Sequence, residues 1–377
     1  MADGAIDADE LAAWVRLTSI PGVGPAGCRA LLAAFGLPEE IFSATREQML
    51  RVVSPAAADA LRASPDASLA DLVARTLAWS REAGNHVLTL ADPRYPKSLL
   101  EITDPPPLLY AKGRVEYLEA SALAIVGSRN ATAQGLIDAR RFAEALASAG
   151  QTIVSGLAAG IDAAAHQGAL DAGERGGSTI AVIGTGPDVV YPSAHRALAH
   201  RIAEHGLIIG EFPLGVAAAA HHFPRRNRII AGLSRGVLVI EAAARSGSLI
   251  TARLAAECGR DVFAIPGSIH SPLSKGCHQL IRQGAKLIDS VSDILEEWGA
   301  AQPPASAADA ASPPARDASE SDDARLLSKL GFNPVTADEL AHRAGYSAAQ
   351  LATKLLDLEL AGHIARLPGG RVQRLIR

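Results

Sequence analysis

Between residues 86 and 298, short apolar runs alternate with amphipathic stretches, and this alternation constrains the fold more than any other feature of the chain. The runs are HVLTL, LLYA, LAIVGS, TIVSG, TIAVIG, LIIGEF, GVLVIEA, DVFAIPG and AKLIDS. Most are separated by roughly 10–20 residues of helical spacing, as in LIDARRFAEALASAG. Strands rich in Val, Ile and Ala, without polar alternation, are buried on both faces. Strand–helix alternation therefore predicts βαβ units: an α/β domain over residues 85–298, built on a parallel sheet with helices on both sides.

The flanks have different patterns. Residues 8–82 are Ala/Leu-rich with helical spacing, and Gly84-Asn85 then breaks the chain, so a small helical domain is expected over 1–84. Within it, LTSIPGVGP precedes the helix CRALLAAFG and resembles a helix-hairpin-helix motif. Glycines there allow a tight turn and leave backbone N–H groups free for a DNA phosphate. The same glycines would also serve a plain helix–helix turn, and the cations nearby are Arg16 and Arg29, with acids preceding them.

Residues 299–321 have almost no large apolar side chain and read as a disordered or extended linker. Residues 322–377 resume with three helical patterns and close with HIARLPGGRVQRLIR, the plan of a winged helix. From Arg325 to Arg377 there are eight Lys/Arg against four acids, with the excess concentrated in the hairpin. The third helical pattern, SAAQLATKLLDLELAG, has one lysine and two acids, so it suits a DNA major groove poorly. A protein contact and a modest accessory DNA contact both stay open for this domain.

Composition excludes several classes. No apolar run reaches the ~18–20 residues of a membrane span. The N-terminal MADGAIDADELAAW is acidic, unlike a secretory leader. Cys28, Cys258 and Cys277 form no CxxC pair, so neither a disulfide framework nor a metal site is expected, and a reducing cytoplasm fits. The formal net charge of −4 argues against a general polyanion binder, so nucleic-acid contact must come from local patches.

Ligands of open parallel sheets bind beyond the carboxyl ends of the strands. The first of these ends carries Gly127, Ser128, Arg129 and Asn130, able to offer backbone N–H groups and a guanidinium to one phosphate. The next carries Ser155 and Gly156, followed by Asp162 and His166. Ser246, Gly247 and Ser248 open the helix LITARLAAECG in the same manner as the first turn, and Lys275 follows the last long run. Residues 221–235 hold Arg225, Arg226, Arg228 and Arg235 without an acid, and Phe223 lies beside them. A base can stack on such an aromatic ring while arginines hold its backbone. Structural roles compete at several positions: His166 within the fold, Glu241 bonded to backbone amides or Arg228, Arg226 and Arg228 in internal ion pairs, and Phe223 in the core.

Together these residues resemble the DNA-processing protein A (DprA/Smf) family. The blocks are AIVGSRNATAQG, SGLAAGIDAAAHQGAL, TIAVIGTGPDVVYP, FPRRNRIIAGLS, VIEAAARSGSLITARLAAECGRDVFAIPG and KGCHQLIRQGAKLI, in order over nearly all of residues 95–290. The resemblance implies a sterile-alpha-motif-like helical domain, an extended Rossmann-like domain and a winged-helix-like domain. It also implies a non-enzymatic single-stranded DNA binder that protects incoming strands in natural transformation, helps load RecA, and forms a homodimer through the Rossmann domain. Carried over by motif, Gly127, Ser128 and Arg129 would clamp a phosphate, Arg225, Arg226, Arg228 and Lys275 would supply charge, and Phe223 would stack. The chain departs from the family pattern at His195, His278 and Gly210, which affects local hydrogen bonds.

An enzymatic alternative resembles the LOG-type nucleoside-monophosphate phosphoribohydrolases. Their P-G-G-x-G-T-x-x-E signature corresponds here to EAAARSGSLITARLAAE, which lacks the paired glycines, with Glu257 near the place of the acid. A nicotinamide cofactor is not expected, because G-x-G-x-x-G is absent and neither Asp138 nor Asp162 ends a following strand.

Overall fold

The computed structural model describes residues 7–173, 176–299, 322–332, 334–367 and 369–376. Apart from Gly299, the expected linker lies outside the described residues, as does Pro368 of the terminal hairpin.

The N-terminal region folds into α1 (Ala8–Ser19), α2 (Pro25–Phe35), α3 (Pro38–Ser43), α4 (Arg46–Met49), α5 (Pro55–Arg62) and α6 (Ala67–Ser80). Asp7, Thr45, Ser54 and Asp66 cap α1, α4, α5 and α6 by accepting from first-turn amides, the local chemistry that starts a helix. A separate core forms around Leu17, Leu31, Ile41, Met49 and Leu61.

The apolar runs become the strands of one sheet. In chain order the elements are β1 (Asn85–Thr89), α7 (Lys97–Leu100), β2 (Leu108–Gly113), β3 (Ala122–Val126), α8 (Ala133–Ser148), β4 (Thr152–Ser155), α9 (Ile161–Asp171), β5 (Thr179–Val182), α10 (Arg196–His205), β6 (Leu207–Gly210), α11 (His222–Leu233), β7 (Gly236–Val239), α12 (Ser248–Glu257), β8 (Asp261–Ala264), α13 (Lys275–Arg282), β9 (Lys286–Leu287) and α14 (Val291–Glu297). The nine strands lie in the order β1-β2-β6-β5-β4-β3-β7-β8-β9. Residues alternate between the two faces of each strand. Leu123 and Ile125 of β3 therefore pack under α8, α9 and α14, while Ala122, Ala124 and Val126 face the core beneath α11 and α12. Small residues let α8 and α9 meet closely: a Cβ on Gly168 would stand 2.0 Å from the Arg140 carbonyl oxygen.

From β6 to β9 the sheet is parallel, as expected. The first two strands correct that expectation, since β1 pairs with β2 and β2 with β6 in antiparallel register. The reason lies in residues 90–107, which hold five prolines and only the four-residue α7. No crossover helix can form there to return the chain in parallel. From β3 the chain steps outward through β4, β5 and β6, then crosses back to place β7 on the opposite side of β3. The strand order reverses between β3 and β7, and the crevice above that switch point is where such sheets bind ligands.

The C-terminal domain comprises α15 (Asp322–Leu330), β10 (Val335–Thr336), α16 (Ala337–Ala344), α17 (Ala348–Leu360), β11 (Ile364–Leu367) and β12 (Arg371–Arg374). Its strands run β10-β12-β11 beside a core of Leu326, Leu340, Leu351, Leu355 and Val372, giving a winged helix.

Candidate nucleic-acid interface

A cleft of about 670 Å³ opens over the carboxyl ends of β3 and β7. Its floor includes the β3 turn, Gly127–Asn130, where the Ser128 hydroxyl accepts from the Asn130 N–H at 3.1 Å. This turn packs tightly on the start of α9: a Cβ on Gly127 would lie 2.6 Å from Ile161, and one on Gly160 2.2 Å from the Ser128 carbonyl oxygen. Gly160 also has φ +81°, so glycine is required there on both counts. Arg129 and Asn130 are exposed at the rim.

Helix α11 sorts the basic segment by face. Phe223, Arg226, Asn227 and Ile230, at helical spacings of three, four and seven, line the cleft. Arg225 and Arg228 point elsewhere. Both bind the buried Glu211 carboxylate, at 3.0 and 2.6 Å, and Arg228 also reaches Asp104 at 2.9 Å. Arg235 lies before β7 with its guanidinium 4.8 Å from the Trp298 ring. The acid-free patch in the sequence is thus not a set of free cations, because Glu211 and Asp104 neutralise part of it from outside the segment.

Arg226 is the deep cation of the cleft. It is 3% exposed, and its Nε and Nη1 have no hydrogen-bond partner among the described residues. Its guanidinium lies against the backbone of Gly156, where a Cβ would fall 1.5 Å from Nη1. Asp162 is adjacent and accepts from the Gly156 and Ala158 N–H groups at 3.1 and 3.4 Å. Burial disfavours both charges. It lowers Arg226 to about 10, still cationic at neutral pH, and raises the Asp162 carboxyl against the opposing pull of Arg226 and the two amides.

Aromatic rings form one wall. The Phe223 ring lies 5.5 Å from Tyr191, and the Arg129 guanidinium is 5.4 Å from its centroid. Tyr191 precedes a cis proline and is 49% exposed. At the other wall, Ser246, Gly247 and Ser248 open α12, with the Ser246 and Ser248 hydroxyls 2.8 Å apart. The candidates Gly127, Ser128, Arg129, Asn130, Phe223, Arg226, Gly247 and Ser248 therefore meet in one place, and Gly156 backs Arg226. Ser155 does not line the cleft: it is buried and donates to the Ile125 carbonyl at 2.6 Å, tying β4 to β3. Lys275 lies outside it, bonded to the Ile269 carbonyl. Ser246 lines the cleft with Gly247 and Ser248, whereas nothing in the sequence assigned Tyr191 or Asn227 a role there, although the helical period of α11 already placed Asn227 beside Phe223.

Other polar residues build the scaffold. Glu241 accepts from the Thr132 N–H and hydroxyl at 2.9 and 2.7 Å, anchoring the start of α8, and makes no pair with Arg228. His195 and His278 bond the carbonyls of Leu157 and Gly267 at 2.9 and 3.0 Å. Gly210 packs against Ile183, which a Cβ would approach to 2.9 Å. In the helical hairpin, Arg16 donates to the carbonyls of Leu61 and Ala63, and Arg29 to that of Thr103, so both cations serve packing.

The N-terminal helices also hold the cleft wall. Leu214 is buried with Trp14, Val15, Trp79, Val87 and Tyr110. Beyond it, the Gly215 N–H donates to Asp188, and the Gly186 N–H to the Val216 carbonyl. These bonds join the loop carrying Tyr191 to the loop carrying Ala218–Ala220, and both loops face the cleft.

Comparison with known proteins gives this architecture its family. Residues 86–299 match the family described as DNA recombination-mediator protein A. The chain belongs to the DprA/Smf family. Residues 304–370 match the DprA winged helix domain, and residues 15–64 a SAM-like helix-hairpin-helix tandem. Protein Smf of Escherichia coli is 44% identical over 79% of this chain and 80% of that protein. DNA processing protein DprA of Streptococcus pneumoniae is 51% identical over 56% of this chain and 73% of that protein. The X-ray structure of Streptococcus pneumoniae DprA superposes with a TM-score of 0.66 at 39% identity, covering 78% of this chain and 98% of that one. The Helicobacter pylori DprA structure, described for its single-stranded DNA binding mode, gives 0.51 at 30% identity over 56% and 95%. Among the described residues, no helix of this DprA/Smf chain is long and apolar enough to cross a membrane.

Proposed function

We propose that this DprA/Smf chain binds single-stranded DNA across the switch-point cleft and acts without catalysis, as a mediator of recombination on incoming strands. The observation that carries the reading is Arg226. A buried guanidinium with two unmet donors costs free energy unless an anionic or carbonyl partner arrives, and it faces a cleft open to such a partner. Phe223 and Tyr191 offer rings to bases, while Arg129, Asn130 and the start of α12 offer donors to backbone phosphates. The wider role, protecting the strand, delivering it to RecA and working as a homodimer in the cytoplasm, is supported by the family resemblance.

The cleft also favours binding over hydrolysis. Asp162 is the carboxylate among its described lining residues, and it is tied to two amides. Glu257, the acid the enzymatic alternative needs, sits at the far end of α12 beside Arg253 at 3.5 Å, outside the cleft lining.

Titration of labelled oligonucleotides at several salt concentrations tests the reading. Affinity should fall with salt, with a slope of ~0.7 per phosphate neutralised, and depend little on sequence. Arg129→Ala should weaken binding about tenfold, the size of one charge-assisted contact. Absence of binding at every salt concentration would sink the proposal. Release of free base from nucleoside monophosphates would favour the enzyme.

A further inference from the structure

The cleft is continuous with a second groove. This groove, about 900 Å³, lies between α12 and α13 at the β8–β9 side of the sheet, and the two spaces share Ser246, Gly247 and Ile250 in their walls. Gly247 is the saddle between them. A Cβ there would meet no atom within 4 Å, so the backbone is bare along the passage.

The charges of the second groove are largely satisfied within the protein. Arg253 faces Glu257 at 3.5 Å, Arg260 binds Glu101 at 2.6 Å and Lys286 binds Glu297. Arg245 differs: it is exposed at the saddle, with no hydrogen bond or ion pair among the described residues. A third space, between α8 and α9, adjoins the cleft at Arg129 and Asn130. Its inner cation, Arg140, is held by Asp171 at 2.7 Å. Beyond Arg129 at the cleft's own rim, the next unpaired cation among the described residues of these adjoining spaces therefore lies over Gly247.

We propose that a DNA strand seated in the cleft continues over Gly247 into the α12–α13 groove, and that Arg245 takes the next phosphate. The inference rests on the single-stranded DNA reading above and extends it from a pocket to a path. A polymer needs such an exit, whereas a mononucleotide ligand does not. Because Arg245 has no partner to lose, its removal should leave the fold intact.

The test compares wild type with Arg245→Ala on labelled oligothymidylates of about 4 and about 16 nucleotides, the ends of the range for a single-strand-binding fold. Arg245→Ala should bind the short oligonucleotide as wild type does. It should bind the long one about five- to tenfold more weakly, with the salt slope reduced by about 0.7. Arg245→Lys should restore most of the loss, and melting temperatures should coincide. Equal affinities at both lengths, or an equal loss at both, would overturn the path while leaving the cleft reading in place. Failure of wild type to bind either length would overturn both.

Discussion

At the scale of single residues, His166 shows how a buried side chain acquires a role that its own sequence neighbourhood does not show. The Thr179 hydroxyl donates to the Ile153 carbonyl at 2.7 Å, so it can only accept from His166 Nδ1, also at 2.7 Å. Nε2 then accepts from the Leu157 N–H at 3.3 Å, which fixes the neutral tautomer. Leu157 has φ +57° and is held from its carbonyl by His195, so two histidines maintain the strained turn beside Gly156 and Arg226. Burial lowers His166 to about 3, below its ordinary value of 6.5. The folded state then binds fewer protons than the unfolded one below that ordinary value. The stabilisation is complete above about pH 6.5 and is lost progressively as pH falls towards 3. Between about pH 7 and pH 5, wild type should lose ~2 kcal/mol more than His166→Asn in urea unfolding. Equal losses would remove His166 as the cause. The sequence places His166 one turn after Asp162, but Thr179 comes from another strand, so the tautomer was not readable there.

At the scale of elements, α11 performs two tasks on two faces, and they can be separated by substitution. Arg228→Ala leaves the Glu211 carboxylate, 3% exposed, with only the peripheral Arg225. It should cost about 3–5 kcal/mol of stability. Arg226→Ala removes two unmet donors together with the cation beside Asp162, whose carboxyl keeps its two amides and is already raised towards the neutral form. It should therefore cost less stability than Arg228→Ala while reducing single-stranded DNA affinity tenfold or more. Urea midpoints and oligonucleotide affinities measured on both variants decide the matter, and exchanged effects would refute the assignment of faces. The strands themselves were legible: each apolar run from HVLTL to AKLIDS overlaps a strand of the sheet. Direction was less so, because β1 and β2 pair by tertiary context, and only the prolines between them signal that no crossover helix forms. That the turn Gly127–Asn130 ends a strand and borders a cleft could be read, since that property is local. Which arginines are free could not, since Glu211 lies before the basic segment and Asp104 more than a hundred residues away.

At the scale of the whole molecule, the N-terminal helices contribute to the cleft without entering it. Leu214 sits under Trp14 and Trp79, and the bonds just beyond it join the loops that present Tyr191 and Ala218–Ala220. Leu214→Ala should cost about 2–3 kcal/mol and weaken single-stranded DNA binding several-fold without altering its salt slope, since no cation is removed. A changed slope would mean that the wall contacts phosphates in some other way. The domain order was visible from composition, whereas this mechanical link between domains depends on packing across chain-distant segments.

The antiparallel pairing of β2 with β6 has a consequence for solubility. Without residues 85–113, the four buried residues LIIG of β6 would form an open edge with unpaired N–H and C=O groups and no charged side chain. The opposite end of the sheet is protected differently, by a two-residue strand that begins with a lysine. Residues 85–113 thus act as a covalent cover over an aggregation-prone edge, and a sheet domain begun at β3 would tend to self-associate through β6, whatever its affinity for DNA.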